Sequence, residues 1–312
     1  MIVQRLLLSL LLLLAISVVI FAGTEILPGD VAQAILGQSA TPEALANIRL
    51  ELGLGQPAYI RYFEWLFGIV QGDLGTSYTS GQPIIDQLGK RLGNTLFLAM
   101  WAAIIAVPLA VGLGLLAVHH RNGLVDRAIS VVTLTAISLP EFFVGYLLIL
   151  VFAVELQWVT NVSTVYEGMP FLERMAAIIL PVTTLTLVVL AHMMRMTRAA
   201  VLSIMSSSYI ETAELKGLSP FKIIWHHAFP NAIAPVITVV VLNLAYLVVG
   251  VVVVEVIFVY PGMGQYLVDH VSKRDVPVVQ ASGLVFAATY ILLNMLADIL
   301  AIVANPRLRH PK

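Results

Sequence analysis

Six apolar runs, each of about 20 residues or more with little or no charge, set what this chain can fold into: 6–27, 95–118, 130–154, 176–196, 232–254 and 282–304. A bilayer core about 30 Å thick is crossed by a helix of about 20 apolar residues. Backbone groups in hydrocarbon must be satisfied within the segment, so each isolated run reads as a helix, the valine-rich fifth included. Only 11% of the 312 residues are charged and 59% are hydrophobic, whereas a soluble domain carries about 25% charged residues. The fold class is therefore an all-α integral membrane protein with six transmembrane helices. A net charge of −1 leaves no global field for nucleic acid. With no cysteine, disulfides, thiolate metal sites and cysteine nucleophiles are excluded.

Arg5 followed by 6–22 has the form of a signal peptide, but the apolar run continues to Leu27. Signal cores are shorter, about 7–15 residues, so an uncleaved first span is expected. Six spans put both termini on one side. If that side is the cytoplasm, ten of the 17 Lys and Arg residues fall on the shorter inner segments, as positive charge near span ends favours. Three regions are expected: 1–93, a first span with a large external segment; 94–305, five spans and an inner loop at about 205–230; and a tail, 306–312. In the external segment Thr41-Pro42-Glu43 reads as a helix start. The stretch 59–70 reads as an amphipathic aromatic helix suited to a membrane surface. Gly72-Asp73-Leu74-Gly75-Thr76-Ser77 and, further on, Pro261-Gly262-Met263-Gly264 read as turns.

The inner loop 209–230 is the most structured polar insert. Ser208 and Glu211 have capping-box spacing, in which each side chain takes the other's backbone amide. A helix is expected to about Lys216, with Gly217 in the left-handed position that ends it. Ser219 and Pro220 then start a second helix as N-cap and first residue. It passes through Trp225 and His226, and Pro230 precedes the fifth span. A helix-break-helix on the inner side suits docking into a groove of a cytoplasmic partner, with Tyr209, Ile210 and Leu215 as anchors and Ala213 allowing close approach.

Glu211, Ala213, Gly217 and Pro230 resemble the EAA loop of permease subunits of binding-protein-dependent ABC importers. Thr212 replaces one alanine of the motif, His227 an aliphatic residue and Phe229 a leucine. Over most of the chain, Leu27-Pro28-Gly29-Asp30, Glu51-Leu52-Gly53-Leu54, Gly72-Asp73-Leu74-Gly75, Ser138-Leu139-Pro140, Glu255 with Phe258 and Pro261-Gly262-Met263-Gly264, and Asn305-Pro306-Arg307 resemble the B-type permease of dipeptide and oligopeptide importers. The resemblance implies a type I importer fold and a C-type second permease. It also implies two ATPases docked on the inner loops and an extracytoplasmic binding protein, in a bacterial inner membrane. It places ATP and Mg in the partner ATPases, with no cofactor in this chain and no catalytic residue.

No G-x-x-x-x-G-K-[ST] sequence occurs, so energy is expected from partners or ion gradients. Glu141, after Pro140, falls about 15 Å into the third run at ~1.5 Å per residue. A charge at that depth marks a pathway or a pairing, and Glu141 with Pro140 is the candidate translocation-path element. Asn294 and Asp298, four apart on the sixth run, and Glu255 near the end of the fifth read as structural polar contacts. His119-His120 and His226-His227 diverge by about 100° along a helix, so neither adjacent pair makes a metal site. Gly112 and Gly114, with Ala110 and Ala117, suit close helix packing. The rival class is a stand-alone proton-coupled transporter in which Glu141 and Asp298 relay protons.

Overall fold

The computed structural model describes residues 2–26, 31–37 and 40–304. The motifs Leu27-Pro28-Gly29-Asp30 and Asn305-Pro306-Arg307, and the tail 306–312, lie outside the described residues. Among those described, the chain is helical, with one isolated antiparallel bridge between Thr76 and Pro83. Five helices among the described residues are long and apolar enough to cross a membrane, and a bent pair makes a sixth crossing if counted as one span. Residues sort into two compact units, Met1–Thr95 with Pro261–Ile291, and Leu96–Tyr260 with Leu292–Lys312.

The first unit holds α1 (Ile2–Ile26), α2 (Val31–Leu36), α3 (Pro42–Glu51), α4 (Ala58–Val70), the start of α5 (Ile84–His119), α13 (Met263–Ser272) and most of α14 (Val276–Ala304). α3 begins as its sequence suggests: Thr41 Oγ1 accepts the Ala44 amide at 3.2 Å and Pro42 follows the cap. The turn after α4 uses Gly72 and Gly75 at φ +84° and +78°. Pro261-Gly262-Met263-Gly264, expected as a turn, instead leads into α13, with Gly262 as its N-cap. A core of Ile84, Leu88, Met263, Tyr266, Val278 and Ala281 packs these pieces. Polar contacts lock the same junction: Thr95 Oγ1 accepts the Met263 amide at 2.8 Å, and Asn94 donates to the Pro261 carbonyl at 2.9 Å.

A carboxylate ties the unit's loops together. Asp275, fully buried between α13 and α14, accepts from Ser77 Oγ at 2.5 Å, Thr79 Oγ1 at 2.8 Å, the Tyr78 amide at 3.0 Å and the Thr79 amide at 3.2 Å. Four donors converging on one carboxyl compensate its desolvation. Burial, and then the Asp275 charge, push the Tyr78 phenol above its ordinary range.

The second unit is built on α9 (Ile179–Met205), which packs most extensively on α12 (Phe229–Ile257) and then on α6 (Leu124–Ser138) and α7 (Glu141–Leu148). Leu98, Ala102, Ala106, Leu185, Val189, Leu247, Val251, Val254 and Phe258 form its main core. Of the small-residue stripe on α5, Gly114 is the close approach: a Cβ there would stand 3.0 Å from Thr197 Cγ2 and 3.2 Å from the Met194 carbonyl, both on α9. Gly112 has nothing within 4 Å. A short helix, α8 (Phe171–Ala177), precedes α9.

The third apolar run is not one straight helix. α6 ends at Ser138, Leu139 is extended at φ −89° and ψ 129°, and α7 restarts at Glu141 at 102° to α6. Proline excludes its predecessor from helical geometry and supplies no N–H, which is why the break falls here. The reading of this run as one helix is therefore corrected to a sharp corner. A depth for Glu141 counted along a straight span no longer applies.

Candidate functional site

The polar insert between α9 and α12 carries α10 (Ser208–Leu215) and α11 (Pro220–Ile223). The capping box expected at Ser208 is not formed. Ser207 occupies the N-cap, and its hydroxyl donates to the Ile204 carbonyl at 2.5 Å instead of capping. The Glu211 amide is taken by the Ser207 carbonyl at 3.3 Å. α9 ends only at Met205, so the turn from α9 into α10 claims the serine hydroxyl before it can cap.

The other end of α10 matches its sequence. Gly217 has φ +75°. The Gly217 amide donates to the Glu214 carbonyl at 2.8 Å and the Leu218 amide to the Ala213 carbonyl at 3.3 Å. This is the paired bonding of a Schellman stop, and Leu218 packs on the cluster containing Ala213, the apolar contact that accompanies the motif. Ser219 then caps α11, its Oγ accepting the Lys222 amide at 3.4 Å. α11 does not stop before Pro230. It passes through a π-helical turn, Ile224–Ala228, straight into α12, with Pro230 inside that helix's first turn. In a continuous helix a proline supplies no N–H to the turn before it, and the irregular π turn falls at that gap in the ladder.

Burial divides α10 sharply. Ile210 and Ala213 are 1% and 7% exposed, while Tyr209 and Leu215 are 42% and 83% exposed. Ile210 and Ala213 pack with Leu115, Val118, Val201, Ile223, Ile224 and Ala228 of the same chain. The expectation that Ile210 anchors a partner is thus corrected: it anchors α10 to its own unit. Glu211 and Thr212 are exposed, and Thr212 Oγ1 donates to the Ser208 carbonyl at 3.0 Å. Tyr209 Oη donates to the His227 carbonyl at 3.4 Å, which ties α10 to the π turn. Phe221, Trp225 and Phe229 form a ring ladder at 6.0 and 5.8 Å, with Phe221 edge-on to His119 at 6.2 Å.

Elsewhere in this unit Glu141 is half-buried at the start of α7, against α12: a Cβ on Gly250 would stand 3.6 Å from its Oε2 and 3.4 Å from the Tyr246 ring. Glu255 is fully buried on α12, and Asn294 and Asp298 are half-buried on α14.

Two further polar linkages are not apparent in the sequence. One is Asp275 with the Ser77–Thr79 turn. The other is Asp126 on α6, which meets Arg198 on α9 in a two-pronged ion pair, Nε to Oδ1 at 2.9 Å and Nη2 to Oδ2 at 2.7 Å. The Asn122 amide also donates to Asp126 Oδ2 at 3.1 Å. The partners are 72 and about 197 positions apart, and no local spacing signals such pairs.

The fold has a counterpart among solved structures. The MetNI methionine ABC transporter, in inward-facing conformations, matches with a TM-score of 0.51 at 18% identity, over 71% of this chain and 96% of that one. The sequence is similar to the glutathione transport system permease protein GsiC of Escherichia coli K12, 37% identical over 99% of this chain and 98% of the relative. It is also similar to the peptide ABC transporter permease protein y4tP of Sinorhizobium fredii, 35% identical over 99% of both. Residues 1–99 match the family of N-terminal segments of binding-protein-dependent transport system membrane components. Membership in such a family does not favour the lone proton-coupled transporter. With residues 106–310 matching the family model as well, the chain belongs to the binding-protein-dependent transport system inner membrane components.

Proposed function

We propose that this chain is one half of the translocation pathway of an ATP-driven importer of peptides, paired with a C-type second permease. Two ATP-binding subunits dock on the cytoplasmic side and hold the ATP and Mg, and an extracytoplasmic binding protein delivers the substrate. Both termini are cytoplasmic, as the distribution of Lys and Arg favours. The peptide assignment leans on the relatives, whose names state peptide and glutathione transport.

One observation carries the coupling role. α10 is fastened to its own unit by Ile210 and Ala213 while Tyr209, Glu211, Thr212 and Leu215 remain exposed. A helix held on one face and bare on the other suits docking. Gly217 sets the corner, and α11 runs through the π turn past Pro230 into α12, so a displacement of α10 is passed to a span. Such movement suits rigid rocking between inward-open and outward-open states. In this reading Glu141 lines the path and meets a cationic group on the substrate, supported by its half-burial at the Pro140 corner beside Gly250 and Tyr246 of α12. Glu255, Asn294 and Asp298 serve as polar contacts between helices.

The test is purification of the intact complex from membranes, followed by reconstitution with the binding protein and a labelled dipeptide. ATPase subunits should co-purify, and uptake should require ATP. Uptake by the chain alone, abolished by an uncoupler and indifferent to ATP, overturns the reading.

A further inference from the structure

We propose that α4 is an interfacial membrane anchor, lying in the headgroup region of a lipid surface with its Tyr59–Phe63–Phe67–Val70 stripe immersed among acyl chains. The helix has 13 residues, roughly 20 Å at 1.5 Å per residue, too short to cross a bilayer core. Two of its sides have neighbours within the first unit, and the third is bare.

One side grips α1. Phe21 meets the rings of Tyr62 at 5.4 Å and Trp65 at 6.0 Å, Ser17 Oγ lies 2.9 Å from Tyr62 Oη, and Glu25 pairs with Arg61 at 2.6 Å. Ser17, Phe21 and Glu25 are four residues apart and form one face of α1. A second side, Arg61, Glu64 and Gly68, lines a cavity of about 670 Å³ whose wall also carries Asp73, Tyr78 and Arg274. Arg61 and Glu64 put the charged groups of α4 on this side, as the water-facing side of an interfacial helix does. The third side is the stripe, with Tyr59, Phe63, Phe67 and Val70 exposed by 66, 63, 66 and 78%. Steps of four, four and three residues keep these side chains on one face.

Lipid is the occupant favoured by depth and by continuity with α1. The apolar window of α1 is only 11% buried within the chain, so its surroundings at that level are those of a membrane span. α4 crosses α1 near Phe21, five residues before the apolar span ends at Ile26. That is about 7.5 Å along the helix, and interfacial helices sink their apolar face about 5–10 Å into the headgroup and acyl boundary. The ion pair Glu25–Arg61 then falls at the polar level and the aromatic stripe below it.

Because the chain has no cysteine, Phe63→Cys, Phe67→Cys and Glu64→Cys each give one labelling position on it. Each variant would carry a bimane fluorophore in the assembled transporter in phosphatidylcholine nanodiscs, read against the unsubstituted complex. The expected result is loss of fluorescence at 63 and 67 to a lipid with a nitroxide near its glycerol, without loss to aqueous iodide. The label at 64 should show the reverse. Quenching of 63 and 67 by iodide, or by neither agent because another protein chain covers them, overturns the proposal.

Discussion

Gly217 offers a test in which conformation and volume rank asparagine and alanine in opposite order. A Cβ there would meet nothing within 4 Å, so the site has room for any side chain, yet its φ is +75°. The cost of substitution is therefore backbone strain. Alanine in a left-handed position costs about 1–2 kcal/mol, asparagine less because it tolerates that region, and valine more because its β-branch does not. The chain can escape the strain only by abandoning the stop at α10. That forfeits the Gly217–Glu214 and Leu218–Ala213 backbone bonds, at about 0.5–1.5 kcal/mol each. Strain and escape are thus comparable, and the valine variant should lose about 2 kcal/mol of local stability, a roughly 30-fold rise in the open hairpin. Amide exchange at Leu218, measured in the assembled transporter, should speed up in the order glycine, asparagine, alanine, valine. ATP-driven uptake should fall in that order too. An order that follows size, with asparagine worse than alanine, or an unchanged Leu218 amide in Gly217→Val, refutes the reasoning.

Other substitutions probe separate links. Asp275→Ala strands Ser77, Tyr78 and Thr79 donors that converge on the carboxylate, and should cost about 2–4 kcal/mol. Accelerated exchange at the 78 and 79 amides would show it, and unchanged protection would count against the latch. Gly114→Val drives a side chain into Thr197 and the Met194 carbonyl, at about 1–3 kcal/mol of overpacking. Thr197→Ala should rescue thermal stability only in part, because the carbonyl remains. Glu141→Gln should weaken uptake of cationic peptides by about tenfold, roughly 1.4 kcal/mol, relative to neutral ones. An unaltered substrate range would remove Glu141 from the path.

Much was legible because the signals are local. Apolar runs specify helices where lipid leaves the backbone no other partner. Thr41, Gly217 and Ser219 act within a few residues of themselves, so their caps and stops could be read directly. The failures have physical causes as well. Ser208 has capping-box spacing, but the turn out of α9 shifts the cap to Ser207 and engages its hydroxyl elsewhere. Pro230 looks like a boundary, yet the π turn before it falls where the proline interrupts the backbone bonds, and α11 runs on into α12. Ile210 looks like a docking anchor because α10 alone does not reveal which face meets Leu115, Val118 and Val201.

The sequence by itself determined the helical spans and the left-handed corner at Gly217, since each rests on chemistry within one turn of chain. Only the tertiary structure decided the 102° break at Pro140, the pairing of Asp126 with Arg198, the burial of Asp275 under the 77–79 turn, and which face of α10 is left bare. Those features depend on groups brought together from distant positions, where the loss of water and the meeting of surfaces, rather than local geometry, set the energy.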